Sequence, residues 1–173
     1  MHFLKHYNNN IVKYDLINKF YYNKETVVPK IKFIILTFDF KKYDFKQLLT
    51  SLTALELITN QKATFIKSRK PNISLKIRKG HPIGCKILIR RYKKDTFLSK
   101  LLDITMVNKK IVRQEYTKLT LFSYSISNVL IFSELEKNYQ FFKLLKTLTV
   151  SIGTTPIDYN GFIFLLRSYK ING

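Results

Sequence analysis

The sequence predicts an α+β fold, a mostly antiparallel sheet packed on one side by helices with a protruding basic hairpin loop, as a single domain over residues 1–173. Segments that alternate every second residue are interspersed with segments that repeat every three or four. Two alternating segments, one from Ile73 to Ile77 and one from Cys85 to Ile89, flank a Gly/Pro-bearing turn, as a hairpin requires. No repeat, Gly/Ser linker or low-complexity tract divides the 173 residues. A chain of that length can bury roughly two thirds of its unfolded surface.

Taken in order, the N-terminus before Asp15 is polar, basic and free of acids, a weak likeness to a targeting peptide. After Pro29, the β-branched and aromatic run from Ile31 to Phe38 predicts a buried strand. Asp44 is placed to cap a helix in which Phe45, Leu48, Leu49, Leu52 and Leu55 form one core face, ending near Asn60. In the hairpin, Ile73, Leu75 and Ile77 oppose Ser74, Lys76 and Arg78; after a turn shaped by Gly80 and Gly84, Cys85, Ile87 and Ile89 oppose Lys86, Leu88 and Arg90. Asp95 is the expected cap of a helix carrying Phe97, Leu98, Leu101 and Leu102. Phe122, Tyr124 and Ile126 alternate with serines as a strand, a short helix covers Phe141 to Leu145, and Leu148, Val150 and Ile152 form another half-buried strand. Thr155-Pro156-Ile157-Asp158 combines a cap hydroxyl, proline at the first helical position and an acid in the first turn, opening a helix to about Ser168.

The chain carries 31 basic and 11 acidic side chains, a net charge of +20, yet 46% of its residues are hydrophobic. A core is therefore expected, and a field that polyanions feel at a distance. The single cysteine, Cys85, excludes an internal disulfide, and His2, His6 and His81 have no zinc-site spacing. The longest apolar run, Phe162 to Leu166, is five residues, far short of the roughly 20 that a membrane-spanning helix needs. Alanine and arginine are scarce while Lys, Asn, Ile, Phe and Tyr abound, the usage that AT-rich codons produce.

The charge is concentrated from Lys62 to Lys94, a stretch with twelve cations, among them Lys62, Lys67, Arg69, Lys70, Lys76, Arg78, Lys79, Lys86, Arg90 and Arg91, and no Asp or Glu. Like charges side by side on a hairpin repel unless a polyanion neutralises them, and nucleic-acid phosphates do so with counterion release. A solvated lysine-rich face is the plain alternative; a membrane surface would call for an amphipathic helix instead. Catalytic signals are poor. Asp39 and Asp44 flank a helix start, Glu134 and Glu136 sit in a turn before Lys137, Cys85 alternates with apolar residues as a buried thiol, and His81 has no orienting partner for base catalysis, although it could stack on RNA.

The run from Leu75 through Lys76-Ile77-Arg78-Lys79-Gly80-His81-Pro82-Ile83-Gly84-Cys85-Lys86-Ile87-Leu88-Ile89 to Arg90 closely resembles the signature of the large-subunit ribosomal protein five family (bacterial-type L-five, universal uL-five). Phe20-Tyr21-Tyr22-Asn23, Val28-Pro29-Lys30-Ile31, Gln61-Lys62, Ile131-Phe132-Ser133-Glu134-Leu135 and Leu148-Thr149-Val150-Ser151-Ile152 follow in the family's order. The resemblance implies an α+β structural constituent of the central protuberance, without enzymatic activity or cofactor. Its implied partners are ribosomal RNA (5S, large-subunit or both), the peptidyl-site tRNA, neighbouring large-subunit proteins and a small-subunit head protein. It places tRNA contact on Lys76, Arg78, Lys79, Gly80, His81 and Pro82, and rRNA contact on Gln61, Lys62, Lys67, Arg69, Lys70, Lys86, Arg90 and Arg91.

The chain departs from the family in three places. Thr37-Phe38-Asp39-Phe40 stands where the family has an Asn and a Gly-rich turn, Leu88 replaces a Thr, and the family's Gly-Arg-Gly-Asn-Tyr stretch is absent around Thr120 to Ser125. The Asn and Thr positions belong to the family's 5S-contacting surface, so a divergent 5S rRNA, or none, is expected. Because the match begins near the N-terminus, no cleaved transit peptide is expected. With the codon signature, this points to a gene kept in an organelle and translated there, first a mitochondrion with its matrix ribosome, second a plastid-like organelle. A free RNA-binding chaperone or ribosome-maturation factor would share the basic hairpin without needing a tRNA-reaching loop; an RNA-processing enzyme would need a catalytic constellation that the sequence does not display.

Overall fold

A computed structural model of the chain describes residues 3–24, 27–40, 44–107, 114–118, 121–145, 147–155 and 159–169. Six strands form one sheet: β1 (Ile31–Asp39), β2 (Thr64–Lys67), β3 (Pro82–Ile89), β4 (Gln114–Lys118), β5 (Leu121–Ile126) and β6 (Leu148–Thr154), in the order β2-β3-β1-β6-β5-β4. β2 and β3 are antiparallel, as are β4 and β5. The helices are α1 (Phe3–Tyr7), α2 (Lys13–Phe20), α3 (Phe45–Thr59), α4 (Tyr92–Val107), α5 (Ser133–Glu136), α6 (Tyr139–Phe142) and α7 (Tyr159–Ser168). A π-helical stretch, Asn8–Val12, joins α1 to α2, and a 3-10 turn, Val129–Ile131, precedes α5. The class is α+β, as the periodicities predict.

The chain divides into two compact units, Met1–Ile34 with Arg90–Tyr124 and Ser151–Gly173, and Ile35–Ile89 with Ser125–Val150. In the first unit, Val12 and Leu16 of the N-terminal helical segment, Phe97, Leu98 and Leu101 of α4, and Phe162, Leu165 and Leu166 of α7 are buried. The Tyr7 hydroxyl donates to the Ser168 carbonyl (3.1 Å), tying α1 to the end of α7. The Thr155 amide donates to the Lys30 carbonyl (3.0 Å), and the Thr155 hydroxyl accepts from the Lys30 amide (3.1 Å). Thr155 is thus engaged with the segment before β1, while Pro156–Asp158, the remainder of the expected helix opening, lie outside the described residues.

In the second unit α3 packs on β3. Asp44 caps α3 as predicted, its carboxylate accepting from the Lys46 amide (3.0 Å). The buried face of α3, however, is Leu48, Ser51, Ala54, Leu55, Ile58 and Thr59; Phe45 and Leu49 are exposed. Two hydroxyls enter that face because each is satisfied within the helix, Ser51 donating to the Leu48 carbonyl and Thr59 to the Leu55 carbonyl, both at 2.7 Å.

Five further expectations need correction. β1 alternates buried and open positions instead of being buried throughout, because a sheet strand presents successive side chains to opposite faces. α4 begins at Tyr92, not at Asp95, after Arg91 turns the chain with a left-handed φ of 55°. Asp95 then lies in the first turn, where a carboxylate opposes the helix dipole, and pairs with Lys94 (3.3 Å). Glu134 and Glu136 lie in the first turn of α5 rather than in a turn, and the expected short helix at Phe141–Leu145 is α6, ending at Phe142. The N-terminal segment, read from sequence only as basic and polar, is helical from Phe3 to Phe20.

Candidate nucleic-acid interface

The basic face is built on β2 and β3 and on the segment Ser68 to His81 between them. Thr64 lies opposite Lys86, Phe65 opposite Cys85 and Ile66 opposite Gly84; a bulge then brings Lys67 opposite Pro82. Cys85, Ile87 and Ile89 are buried against α3, and Lys86 and Leu88 face outward. The Cys85 thiol donates to the Leu48 carbonyl (3.6 Å) with the Ser51 hydroxyl 3.3 Å away. Burial pushes its pKa up, partly offset by Ser51. That is the environment of an unreactive structural thiol.

The expected first strand of the hairpin, Ile73 to Ile77, is not a strand. Asn72 and Ile77 exchange both backbone hydrogen bonds (2.8 and 2.9 Å), and Ile73–Lys76 form the turn between them, closed by the Lys76 amide on the Ile73 carbonyl (3.1 Å). The Asn72 side chain accepts from the Ser74 hydroxyl (2.6 Å) and the Leu75 amide (3.3 Å). Pro71 removes a ladder donor and the Asn72 side chain captures the Leu75 amide that a strand would use, so local turn chemistry overrides three alternating apolar residues. Ile77 is buried as the loop's anchor, while Ile73 is 94% exposed at the tip. The partner of β3 is β2, further upstream.

Below this small hairpin the loop closes again. The Ser68 amide donates to the His81 carbonyl (2.8 Å), the Gly80 amide to the Ser68 carbonyl (2.9 Å), and the His81 amide to the Arg78 carbonyl (3.2 Å). Gly80 has φ +87° with open space around it, so glycine is needed there for its backbone angle. Gly84, read from sequence as part of the same turn, is instead buried within β3.

Lys67, Arg69, Lys70, Lys76, Arg78 and Lys79 are all exposed along this cross-braced loop and its base, Gly80 is exposed at its turn, and His81 and Pro82 are half-buried where it enters β3. Lys76 adopts a left-handed φ of 53°, closing the tip turn. Lys62 is exposed and Gln61 half-buried just after the left-handed Asn60 that ends α3 (φ 51°). Arg90 and Arg91, exposed where the chain leaves β3, belong to the other compact unit. The loop therefore gathers the predicted tRNA set and three of the predicted rRNA cations on one frame, with no carboxylate in that stretch of sequence. Sequence reasoning missed the bracing residues Ser68 and Asn72; the Pro71-Asn72 dipeptide was the available signal.

Among the departures from the expected family pattern, Leu88 is 42% exposed on the outward face of β3, and the Thr37 hydroxyl donates to the Thr149 carbonyl (3.5 Å). Burial raises the pKa of Asp39 at the end of β1. Among the described residues no group of three or more His, Cys, Asp or Glu side chains could hold a metal ion. Among the described residues no helix is long and apolar enough to cross a membrane.

No family model matches the chain. Whole-chain relatives do. The chain is 35% identical to the large ribosomal subunit protein uL5m of Reclinomonas americana, over 96% of this chain and 94% of that protein. The chain belongs to the uL5 family of large-subunit ribosomal proteins. Bacterial uL5 proteins are similar as well: that of Borrelia turicatae at 32% identity over 89% of this chain and 86% of its own length, and that of Blochmanniella floridana at 29% over 96% and 90%. The uL5 assignment makes this chain a structural constituent of the large ribosomal subunit, not an enzyme.

Proposed function

We propose that this uL5-family chain binds ribosomal RNA in the central protuberance of a mitochondrial large subunit and extends its basic loop to the peptidyl-site tRNA and the small-subunit head. The observation that carries this reading is the loop from Ser68 to His81: an exposed cationic run without acids, held in one shape by three tiers of hydrogen bonds. Fixed cations of this kind meet phosphates at little cost in ordering. Arg78, Lys79 and Lys76, with the Gly80-His81-Pro82 turn, are assigned to tRNA. Gln61, Lys62, Lys67, Arg69, Lys70, Lys86, Arg90 and Arg91 are assigned to rRNA, with neighbouring large-subunit proteins around them. The similarity to uL5m and the AT-rich residue usage support a mitochondrial ribosome and an organelle-encoded gene. Thr37 and the exposed apolar Leu88 support a divergent 5S rRNA or none; a full-length 5S-like RNA docked against the Thr37/Leu88 surface would refute that part.

Sedimentation of organelle lysate at high salt tests the main reading. The chain should stay with the large subunit; a protein already running free at low salt contradicts it, and one stripped by salt would be the transient factor instead. Within assembled subunits, replacing Arg78 and Lys79 by Ala should lower tRNA occupancy by about tenfold, the loss of two phosphate contacts, with little change in subunit yield. Equal loss of both would remove the tRNA role from the loop.

A further inference from the structure

A second cationic site lies away from the loop, where α2 packs on α7. Lys19, Phe20, Asn160, Ile163, Phe164 and Arg167 line a groove of about 390 Å³ with no acid among them. Phe20 and Phe164 meet edge to face, ring centroids 5.9 Å apart and planes at 76°, so the two rings form the corner of an apolar platform. Both rings are half-buried, held by the helices yet open to the groove. Lys19 Nζ stands 4.5 Å from the centre of the Phe164 ring, and exposed Arg167 lies one turn along the same helix.

This combination is more specific than a basic patch. Cations alone would suit any anion, and aromatic rings alone any apolar group. Together with the Asn160 amide, which can both donate and accept, they suit a flat aromatic body joined to an anion. The groove volume is in the range that small ligands occupy. We infer that this groove takes one unstacked nucleotide of single-stranded RNA, its base on the Phe164 ring and its phosphate between Lys19 and Arg167. On binding, the base replaces the Lys19 ammonium over the ring and the ammonium turns to the phosphate. The inference rests on the reading of the chain as an RNA-binding protein, and it adds a contact on the opposite kind of surface, two helices instead of a strand loop.

The chain contains no tryptophan, so Phe164→Trp gives a single fluorophore in the groove. The full-length variant, checked for an unchanged melting temperature, is titrated with hexa-adenylate and, separately, with hexaglutamate, while anisotropy of labelled hexa-adenylate reports total RNA binding. Stacking should quench the tryptophan at least twofold and saturably with hexa-adenylate alone. Adding Lys19→Ala and Arg167→Ala should shift that quench about tenfold higher in RNA concentration. Phe20→Trp, on the other wall, should report the same half-point, which covers the case in which the first variant misfolds. Quenching by hexaglutamate instead would reassign the groove to an acidic peptide. RNA binding by anisotropy with neither tryptophan responding overturns the groove alone, whereas absence of any RNA binding removes the RNA reading beneath it.

Discussion

A Cβ placed on Gly84 would overlap the Phe38 carbonyl oxygen and lie 3.1 Å from Asp39 Oδ1, so this residue lets two backbones come together within the second unit. Backbone oxygen cannot step aside as a side chain can. Gly84→Ala should therefore cost about 1–3 kcal/mol of stability, read as a lower denaturant midpoint; an unchanged midpoint would show that the strand relaxes freely. Gly80 is glycine for another reason, its positive φ in open space. From sequence the two look alike, both punctuating one turn. Only coordinates separate a glycine that needs an angle from one that needs room. Cys85, by contrast, was legible as a buried thiol from its alternation with Ile87 and Ile89, and it is fully buried.

The elements with strong local signals are where the sequence placed them. Asp44 caps α3, and β5 and β6 keep their predicted alternation, Ser123 and Ser151 hydrogen-bonding at 2.8 Å on their open sides. Elements misread from sequence are those where two signals conflict. At residues 72–77 alternation loses to the Asn72 turn; in the N-terminal segment the Asn8-Asn9-Asn10 run masks a helical face whose buried members, Leu4, Val12 and Leu16, recur at multiples of four. The loop's shape should depend on Asn72 more than on its cations. Asn72→Ala removes the acceptor for the Leu75 amide and the Ser74 hydroxyl, a loss of about 1 kcal/mol. Exchange of the Ile77 amide, which donates to the Asn72 carbonyl, should then quicken about fivefold; unchanged exchange would mean that the backbone pairs hold the loop unaided.

For the molecule as a whole, the boundaries of the two compact units fall within β1, β5 and β6. We propose that the 173 residues unfold as one domain, because neither unit has those strands complete. Burial raises the pKa of Cys85, of Tyr124 and of Tyr169, the last helped by the charges of Asp95 and Tyr7. In each the folded state holds its proton more tightly than the unfolded chain. Their contribution is complete at neutral pH and is lost as pH rises past about 8.5 for the thiol and about 10 for the phenols. The Tyr124 hydroxyl is buried without a hydrogen-bond partner among the described residues, so Tyr124→Phe should match or exceed the parent by up to about 1 kcal/mol at pH 7. The same variant should also flatten the alkaline decline. Denaturant titrations at pH 7 and pH 10.5 check both statements; two transitions at pH 7 would refute the single domain, and an equally steep alkaline loss in the variant would exonerate Tyr124.

The sequence by itself determined the α+β class, most strands and helices, and the family, because hydrophobic periodicity, capping and a contiguous signature are local properties. It also located the charge, since an acid-free run is visible without coordinates. Tertiary structure decided which strand pairs with β3, which face of α3 is buried, and that Phe20 and Phe164 share a groove with Lys19 and Arg167. Each of those depends on residues far apart in the chain, and the distance between them is set by packing, which no local pattern encodes.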